Sequence, residues 1–394
     1  MKEFTITAPR LYTAQDRRIL QNGAVAVRDG RILYAGPREG LPELGCKNFD
    51  FPGCTVMPGL IDAHVHLTMD GSADPMAKTV TDSLPTAALR AAYHAEQLIK
   101  AGITTVRDCG CQGYVAVELA RAVEEGRLVR SPKILACGPV LCITGGHGTF
   151  IGMEIDGPQE ARKAARTVLK NGAKFLKLIS TGGVITRGST TGATQLDPDE
   201  VAAIVNEAKK VGVKTATHAH GTEGIKIALR AGVDTIEHAS YVDDEGIGLF
   251  LETGAVFVST LLASQRQIDH LDEVPSYVAE KISRHIGRER ESVCRLIAAG
   301  VTAVGGTDAG TPFNPHGHLA EQLQMLEDCG LTKFQALEAG TKAAAEALGI
   351  GDNTGTLSPG KCADILVVRG SPAEDLNDLT QVAAVWRDGI ALQS

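Results

Sequence analysis

The chain has 394 residues, of which 43% are apolar and 22% are charged. These proportions are typical of a globular protein and exclude a disordered or fibrous one. The formal net charge is −8, so the chain has no basic field with which to hold nucleic acid or an anionic membrane. At about 150 residues per domain the length predicts two or three units, or fewer if one of them is a large α/β barrel.

The first ten residues, MKEFTITAPR, lack the apolar core of a secretory signal peptide. No apolar run in the sequence approaches the roughly 18 residues that cross a bilayer. The nine cysteines are scattered and form no Cys-x-x-Cys pair, which is typical of reduced thiols. We therefore expect a cytoplasmic protein that binds neither nucleic acid nor membrane.

Both ends of the chain have the alternating pattern of antiparallel β-strands. Near the start, the runs 24–27 and 32–35 flank an Asp-Gly turn, and near the end the runs 363–368 and 382–386 are also bounded by turn residues. Alternation that is closed by Asp-Gly predicts hairpins. Because both ends are β-rich around a different middle, residues 1–58 and 352–394 are predicted to form one small β-sandwich domain.

The middle of the chain, residues 59–351, repeats a helix, a glycine and a strand. Glycine directly after a helix takes the left-handed conformation that closes the helix. About eight strands separated by helices can be counted from Val56 to Asp308, which predicts an α/β fold with a (β/α)8 TIM barrel. The clearest repeats are 85–101, Gly102 and 103–106; 202–211, Gly212 and 213–217; 225–231, Gly232 and 233–236; and 290–299, Gly300 and 301–304.

Ionisable residues end or interrupt five of the predicted barrel strands. His64 and His66 share one face of strand one, because side chains alternate along a strand. Each residue alone would be an ordinary buried histidine, a helix cap or a snorkelling lysine. Five such strand ends are hard to explain independently, and the carboxyl ends of barrel strands converge, so the set predicts a metal site. The other members are Lys177 in strand four, His218 and His220 in strand five, His238 in strand six and Asp308 in strand eight.

The sequence resembles the amidohydrolase superfamily over nearly its whole length. The resemblance lies in the signature PGLIDAHVH at 58–66, in GTLSPGKCAD at 355–364 and in the order of the strand-end residues. Within the superfamily, the chain is most similar to imidazolonepropionase-related, metal-dependent dipeptidases, including prolidase-like enzymes. The supporting segments are TGGHG at 144–148, FLKLISTGG at 175–183, HAHG at 218–221 and EHASY at 237–241.

The resemblance implies a centre of two divalent ions that share an activated water. Nitrogen and oxygen ligands suit zinc, and manganese or cobalt stays open. Asp308 would also take the proton from the bridging water and deliver it to the leaving nitrogen. The implied ligands are His64, His66 and Asp308 for one ion, His218 and His238 for the other, and Lys177, as a carbamate, between them.

Four further residues are predicted to contact the substrate. By resemblance, His147 and Tyr241, on loops after strands three and six, contact the carboxylate or the reacting carbonyl. His220 has the same parity as His218 and could reach the site, and Arg187 in a glycine-rich loop could pair with a carboxylate. Two interpretations stay open for His316 and His318, which could line the pocket or be structural. We expect His94, His270 and His285 on the surface or on helices.

The resemblance implies hydrolysis of the amide bond of dipeptides, Xaa-Pro or similar, or of N-acyl amino acids. Hydrolysis of a cyclic amide or a lactone would use the same centre and stays open. Deamination is suggested by the His-x-x-Glu spacing of His220 and Glu223, but Lys177 argues against a one-metal site. A non-catalytic scaffold is disfavoured because all six predicted ligands are present. A small-molecule substrate and a homo-oligomer are the expected partners.

Overall fold

The computed structural model describes residues 3–393 of the chain. Within this range the strands and helices alternate through the middle and strands predominate at both ends. The strands are β1 Glu3–Leu11, β2 Leu20–Arg28, β3 Arg31–Pro37, β4 Lys47–Asp50, β5 Cys54–Pro58, β6 Leu60–Val65, β7 Ile103–Asp108, β8 Lys133–Ala136, β9 Val140–Cys142, β10 Gly152–Glu154, β11 Phe175–Ile179, β12 Lys214–Ala219, β13 Thr235–His238, β14 Val256–Ser259, β15 Ala303–Gly305, β16 Ile365–Arg369, β17 Val382–Arg387 and β18 Ile390–Gln393.

The helices lie mainly between the strands of the central region. Short 3-10 turns cover Arg38–Gly40, Thr149–Ile151 and Leu376–Thr380. None of the described helices is both long and apolar enough to cross a membrane. The α-helices are α1 Pro75–Thr81, α2 Leu84–Lys100, α3 Val115–Glu124, α4 Pro158–Lys170, α5 Pro198–Val211, α6 Thr222–Ala231, α7 Asp244–Thr253, α8 Leu261–Asp269, α9 Ser276–Ala298, α10 Leu319–Asp328, α11 Lys333–Ala339 and α12 Lys342–Ala347.

The strands of the two chain ends form one sheet. Its order is β18-β17-β16-β5-β1-β2-β3, with β4 paired to β1. The Phe4 and Trp386 rings stack at a centroid distance of 5.8 Å although their strands are not neighbours in the sheet. The sheet therefore curls over an apolar interior, as expected for a small sandwich built from both termini. The domain limits at 58/59 and 351/352 stay predictions.

The central strands form a parallel barrel. One run of strands is β6-β7-β8 and the other is β10-β9-β11-β12-β13-β14-β15. The Lys174 amide donates to the Ala136 carbonyl at 2.9 Å, and the Asp308 amide donates to the His64 carbonyl at 2.7 Å. These two contacts join the runs. Strands β8 and β9 share the third position of the barrel. The other seven positions of the predicted (β/α)8 barrel are filled by β6, β7, β11, β12, β13, β14 and β15.

Helix ends in the barrel follow from the local sequence. Helix α5 begins with a capping box between Asp197 and Glu200 and ends at Gly212, whose φ is +71°. Helix α6 ends in the same way at Gly232, with φ of +82°. Both glycines were predicted as helix ends, and the strands that follow them, β12 and β13, carry site residues. The two glycines therefore mark correctly where these helices end and the following strands begin.

Helix α9 is longer than the sequence pattern predicts. The apolar periodicity indicates a helix only over 290–299, whereas the helix spans Ser276–Ala298. Its buried face includes Val278 and Ile282, followed at helical spacing by His285 and Glu289. Because His285 and Glu289 are polar, the sequence of this face lacks the apolar stripe that would predict a helix. The two polar residues lie at the edge of the site described below.

We predict that Trp386→Ala lowers the free energy of unfolding by about 3–5 kcal/mol, because it leaves a cavity in the terminal sheet. Trp386 is 1% exposed and also meets the Phe49 ring edge-on at 5.5 Å. Urea denaturation followed by circular dichroism measures the change. Leu89→Ala is the matched control, because Leu89 is 76% exposed and should change stability by less than about 0.5 kcal/mol. Equal stabilities of the two variants would contradict this packing role.

Candidate functional site

The strand-end residues singled out in the sequence lie together in the structure. The His64 ring centroid lies 5.4 Å from that of His66 and 5.3 Å from that of His238. His218 lies 4.5 Å from His238 on the same measure. Asp308 Oδ1 is 3.4 Å from Nε2 of His64 and 3.2 Å from Nε2 of His66. All of them line one cavity at the carboxyl ends of the barrel strands, together with Lys177.

Four groups of donor atoms in the described residues are close enough to hold a metal ion, and two of them consist mainly of predicted ligands. One is the predicted set His64, His66 and Asp308. The other contains His218 and His238 and also His220, which the sequence assigned to the substrate. Within each group the potential ligand atoms all lie within 4.8 Å of one another. The structure therefore brings the predicted ligands together and adds His220 as a neighbour.

Unpaired polar atoms show that the residues fit a bound group. Lys177 Nζ, His218 Nε2 and Asp308 Oδ1 are buried and have no hydrogen-bond partner. A buried polar atom without a partner costs about 1–3 kcal/mol, so three such atoms around one cavity need an explanation. Imidazole and carboxylate donors suit divalent zinc, manganese or cobalt. A carbamate on Lys177 would supply the further oxygens.

The backbone is strained at two of these positions. His238 has φ of +70° and Asp308 has φ of +55°, conformations that non-glycine residues rarely adopt. Such strain costs about 1–3 kcal/mol and persists only where the surroundings enforce it. The Asn314 side-chain amide enforces it at Asp308, because it donates to the carbonyls of Thr307 at 2.7 Å and Asp308 at 3.0 Å.

A buried ion pair orients His64. Glu237 Oε2 accepts a hydrogen bond from His64 Nδ1 at 2.7 Å, and the Arg107 guanidinium contacts both oxygens of Glu237 at 2.7 and 2.8 Å. Although burial by itself raises a carboxyl pKa, the charges of Arg107 and Lys177 hold the pKa of Glu237 well below its usual value. Glu237 is therefore a carboxylate, His64 carries its proton on Nδ1, and Nε2 is free to face Asp308.

The other histidines of the site are held in a similar way. The Nδ1 atom of His66 hydrogen-bonds the Gly110 carbonyl at 2.9 Å, and that of His238 hydrogen-bonds the Thr260 hydroxyl at 2.6 Å. Burial lowers the pKa of His64 to about 4 and lowers the pKa of His238 well below its usual value. Neutral imidazole is the form that binds a metal, so burial prepares both rings for that role.

His147 is the predicted substrate contact that lies nearest the centre. Its ring lies 4.4 Å from that of His218 between centroids, and its Nδ1 hydrogen-bonds the Thr186 hydroxyl at 2.7 Å. Burial lowers the pKa of His147 to about 3. A side chain at Gly183 would place Cβ 2.4 Å from Nε2 of His147. The glycine in the 175–183 segment is thus required for His147 to reach the cavity.

Tyr241 and Arg187 are not among the residues that line this cavity. Arg187 is exposed, and the Tyr241 hydroxyl contacts Nδ1 of His285 at 2.8 Å. The substrate roles of both residues stay predictions. The sequence did not single out His285 for the site, although it is only 1% exposed and lines the cavity. Its signal in the sequence was the spacing of His285 and Glu289 along one helix face.

The remaining histidines lie outside the cavity lining. His316 is buried and stacks on His94 at a centroid distance of 4.1 Å. His94 is itself a buried residue of helix α2. His318 contacts Glu321 at 2.6 Å. His270 stacks on a phenylalanine ring at the rim. The structure supports structural roles for these residues.

Comparison with known proteins identifies the family. A family model described as the amidohydrolase family matches residues 55–392. The chain belongs to the amidohydrolase family. It is similar to an Aspergillus niger ochratoxinase, with 29% identity over 98% of this chain and 86% of that protein, and to a Mesorhizobium japonicum imidazolonepropionase, with 26% identity over 89% of this chain and 87% of that protein.

A solved structure extends the likeness. A Xaa-Pro dipeptidase with bound methionine in its active site superposes with a TM-score of 0.93 at 30% identity, over all of both chains. As an amidohydrolase, the chain is a metal-dependent hydrolase of carbon–nitrogen bonds that acts on small molecules. The resemblance inferred from the motifs is confirmed.

The cavity of this amidohydrolase also tests the deaminase alternative. The Glu223 side chain is 68% exposed and lies 3.6 Å from Lys226. It does not line the cavity with His220. The structure therefore does not bring the His-x-x-Glu pair together beside the centre.

We predict that Glu237→Gln lowers metal affinity about 10- to 100-fold, because an amide has one acceptor oxygen to share between His64 and Arg107, and losing the partner that orients a ligand has an effect of this size. Equilibrium dialysis against zinc, with metal analysis, measures the affinity. Glu252→Gln is the matched control, because Glu252 is exposed on helix α7. Wild-type zinc affinity in Glu237→Gln would show that the ion pair does not orient the ligand.

Proposed function

We propose that this amidohydrolase cleaves the amide bond of dipeptides, Xaa-Pro or similar, or of N-acyl amino acids. The observation that carries the proposal is the convergence of the unpaired Lys177, His218 and Asp308 atoms on one cavity. A strand-four lysine beside two groups of imidazole donors fits a two-ion centre better than a one-ion centre. The similarity to a Xaa-Pro dipeptidase and to an ochratoxinase supports the substrate class.

In this proposal the strand-end residues divide the work between binding and proton transfer. When bound, two divalent ions would polarise the scissile carbonyl and make a shared water acidic enough to attack it. Zinc is our choice of metal. Asp308 would take a proton from that water and deliver it to the leaving nitrogen. One ion would be held by His64, His66 and Asp308 and the other by His218 and His238, with carboxylated Lys177 as a ligand that both would share.

The cavity supports a substrate with an apolar side. Four of its described lining residues are the apolar Phe150, Ile151, Val184 and Ile185, and Lys177 is the only lysine or arginine among those lining residues. An apolar wall is worth about 25 cal/mol per Å² of buried apolar surface. His147 and His220 supply neutral polar contacts to the peptide group, and Tyr241 and Arg187 would have to reach the substrate from the rim. The cytoplasmic location and the homo-oligomeric state stay predictions.

We predict that zinc plus bicarbonate activates the protein against a library of dipeptides and N-acyl amino acids, read by ninhydrin. Lys177→Gln should lose more than about 100-fold of this activity and part of its bound metal, because the bridging ligand is gone. Lys174→Gln is the control, because Lys174 precedes the same strand but is half exposed. A fully metallated protein that cleaves nothing in the library would refute the proposal. Turnover of cyclic amides alone would favour the imidazolonepropionase-like alternative.

We predict that Asp308→Asn lowers kcat about 10²- to 10⁴-fold, with a smaller change in KM, because asparagine cannot carry the proton. Steady-state kinetics on the best library substrate, with metal content measured in parallel, tests this. Asp272→Asn, an exposed change on the loop before α9, should leave both constants unchanged. Near-normal turnover by a metal-loaded Asp308→Asn protein would remove Asp308 from proton transfer.

A further inference from the structure

His285 lies beside the metal-binding groups without belonging to either of them. It is on helix α9, is 1% exposed and lines the cavity. Its ring meets that of His220 edge-on, with 4.5 Å between centroids. The barrel strand before this helix, β14, carries none of the predicted ligands. His285 therefore brings a titratable group to the side of the cavity that the strand ends leave without one.

The neighbours of His285 determine which of its nitrogens carries the proton. Nε2 lies 3.4 Å from Oε2 of Glu289, a carboxyl oxygen that is buried and has no hydrogen-bond partner. One N–H at Nε2 can be shared between this oxygen and Oγ of Ser240, which lies 3.4 Å from the same nitrogen. With the proton on Nε2, Nδ1 accepts the hydroxyl proton of Tyr241 at 2.8 Å.

The same proton arrangement extends to His220 through Ser240. Ser240 Oγ lies 3.4 Å from Nε2 of His285 and 2.7 Å from Nδ1 of His220. With the Nε2–H of His285 shared between Glu289 and the Ser240 oxygen, the serine hydroxyl is free to donate its own proton to Nδ1 of His220. The single proton of a neutral His220 ring must then lie on Nε2, the nitrogen not bonded to Ser240.

We propose that His285, held by Glu289, is a positioning residue that keeps His220 as a hydrogen-bond donor to the substrate. His220 with a proton on Nε2 cannot bind a metal through that atom, although it lies close to His218 and His238. It can donate to the carbonyl oxygen of an amide substrate. His285 also holds the Tyr241 hydroxyl on the opposite side of its own ring. The assignment rests on the proposed amide hydrolysis for its substrate and on the hydrogen bonds above for its geometry.

The test uses zinc-loaded protein labelled with ¹⁵N at histidine. Long-range ¹H–¹⁵N correlation spectra distinguish Nδ1–H from Nε2–H imidazoles without any substrate. The expected spectrum places the proton of His220 on Nε2 in the wild type and in His285→Gln, whose amide N–H can replace the Nε2–H. Ser240→Ala removes the hydroxyl that links His285 to His220. In His285→Asn the shorter amide can occupy only the position of Nδ1, so both variants should lose this preference.

Kinetics and metal analysis of the same variants complete the experiment. Ser240→Ala and His285→Asn should keep their bound zinc, lose about 10- to 100-fold in kcat and change KM less, whereas His285→Gln recovers most of the activity. Arg284→Gln, an exposed change one residue away, is the control and should behave as wild type. His220 with its proton on Nδ1 in the wild type, or zinc loss from Ser240→Ala, would overturn the assignment. If the library shows no amide hydrolysis but the spectra agree, the proposed function fails while the proton arrangement stands.

Discussion

The site depends on one buried ion pair between Arg107 and Glu237. Their side chains are 2% and 0% exposed, so each charge is stable inside the barrel only because the other is present. Arg107 also donates to the Ala63 carbonyl at 2.7 Å and to the Thr235 hydroxyl at 2.9 Å. The pair therefore ties strands β6, β7 and β13 together beneath the centre. Glu237 also accepts hydrogen bonds from the Thr235 hydroxyl and from Nδ1 of His64, both at 2.7 Å, and the second of these orients a proposed metal ligand.

The barrel closes at the same place where the chemistry is concentrated. Asp62 accepts hydrogen bonds from the His64 amide at 3.2 Å and from the amide and hydroxyl of Thr307 at 3.0 and 2.7 Å. One carboxyl group thus holds the first barrel strand against the segment after the last. Asp308 follows Thr307 directly, so its side chain is carried to within 3.4 Å of two histidines. The contacts that close the barrel therefore also position Asp308, one of the proposed ligands.

The sequence predicted the parts of the site that depend on strand periodicity. His64 and His66 share a face because of alternation, and glycines such as Gly212 and Gly232 marked where helices give way to strands. Contacts that arise only in three dimensions were not predictable. His285 belongs to a helix whose buried face is partly polar, and Tyr241 turns toward that helix rather than into the cavity. Nothing in the sequence pattern indicated that two short strands, β8 and β9, share the third barrel position.

The two kinds of element contribute differently to the site. The strand ends are fixed by backbone pairing on both sides, so they suit ligands whose positions must be exact to a fraction of an ångström. Helices α8 and α9 pack on the rim and contribute Ser264, Gln267 and His285 to the cavity, where a small shift alters substrate contacts without moving a ligand. Under the proposed function, changes on the helices after β14 would alter the choice of amide substrate and leave the proposed ligands in place. Substrate preference is therefore to be sought on those helices and on the loops that carry His147 and Val184 rather than at the strand ends.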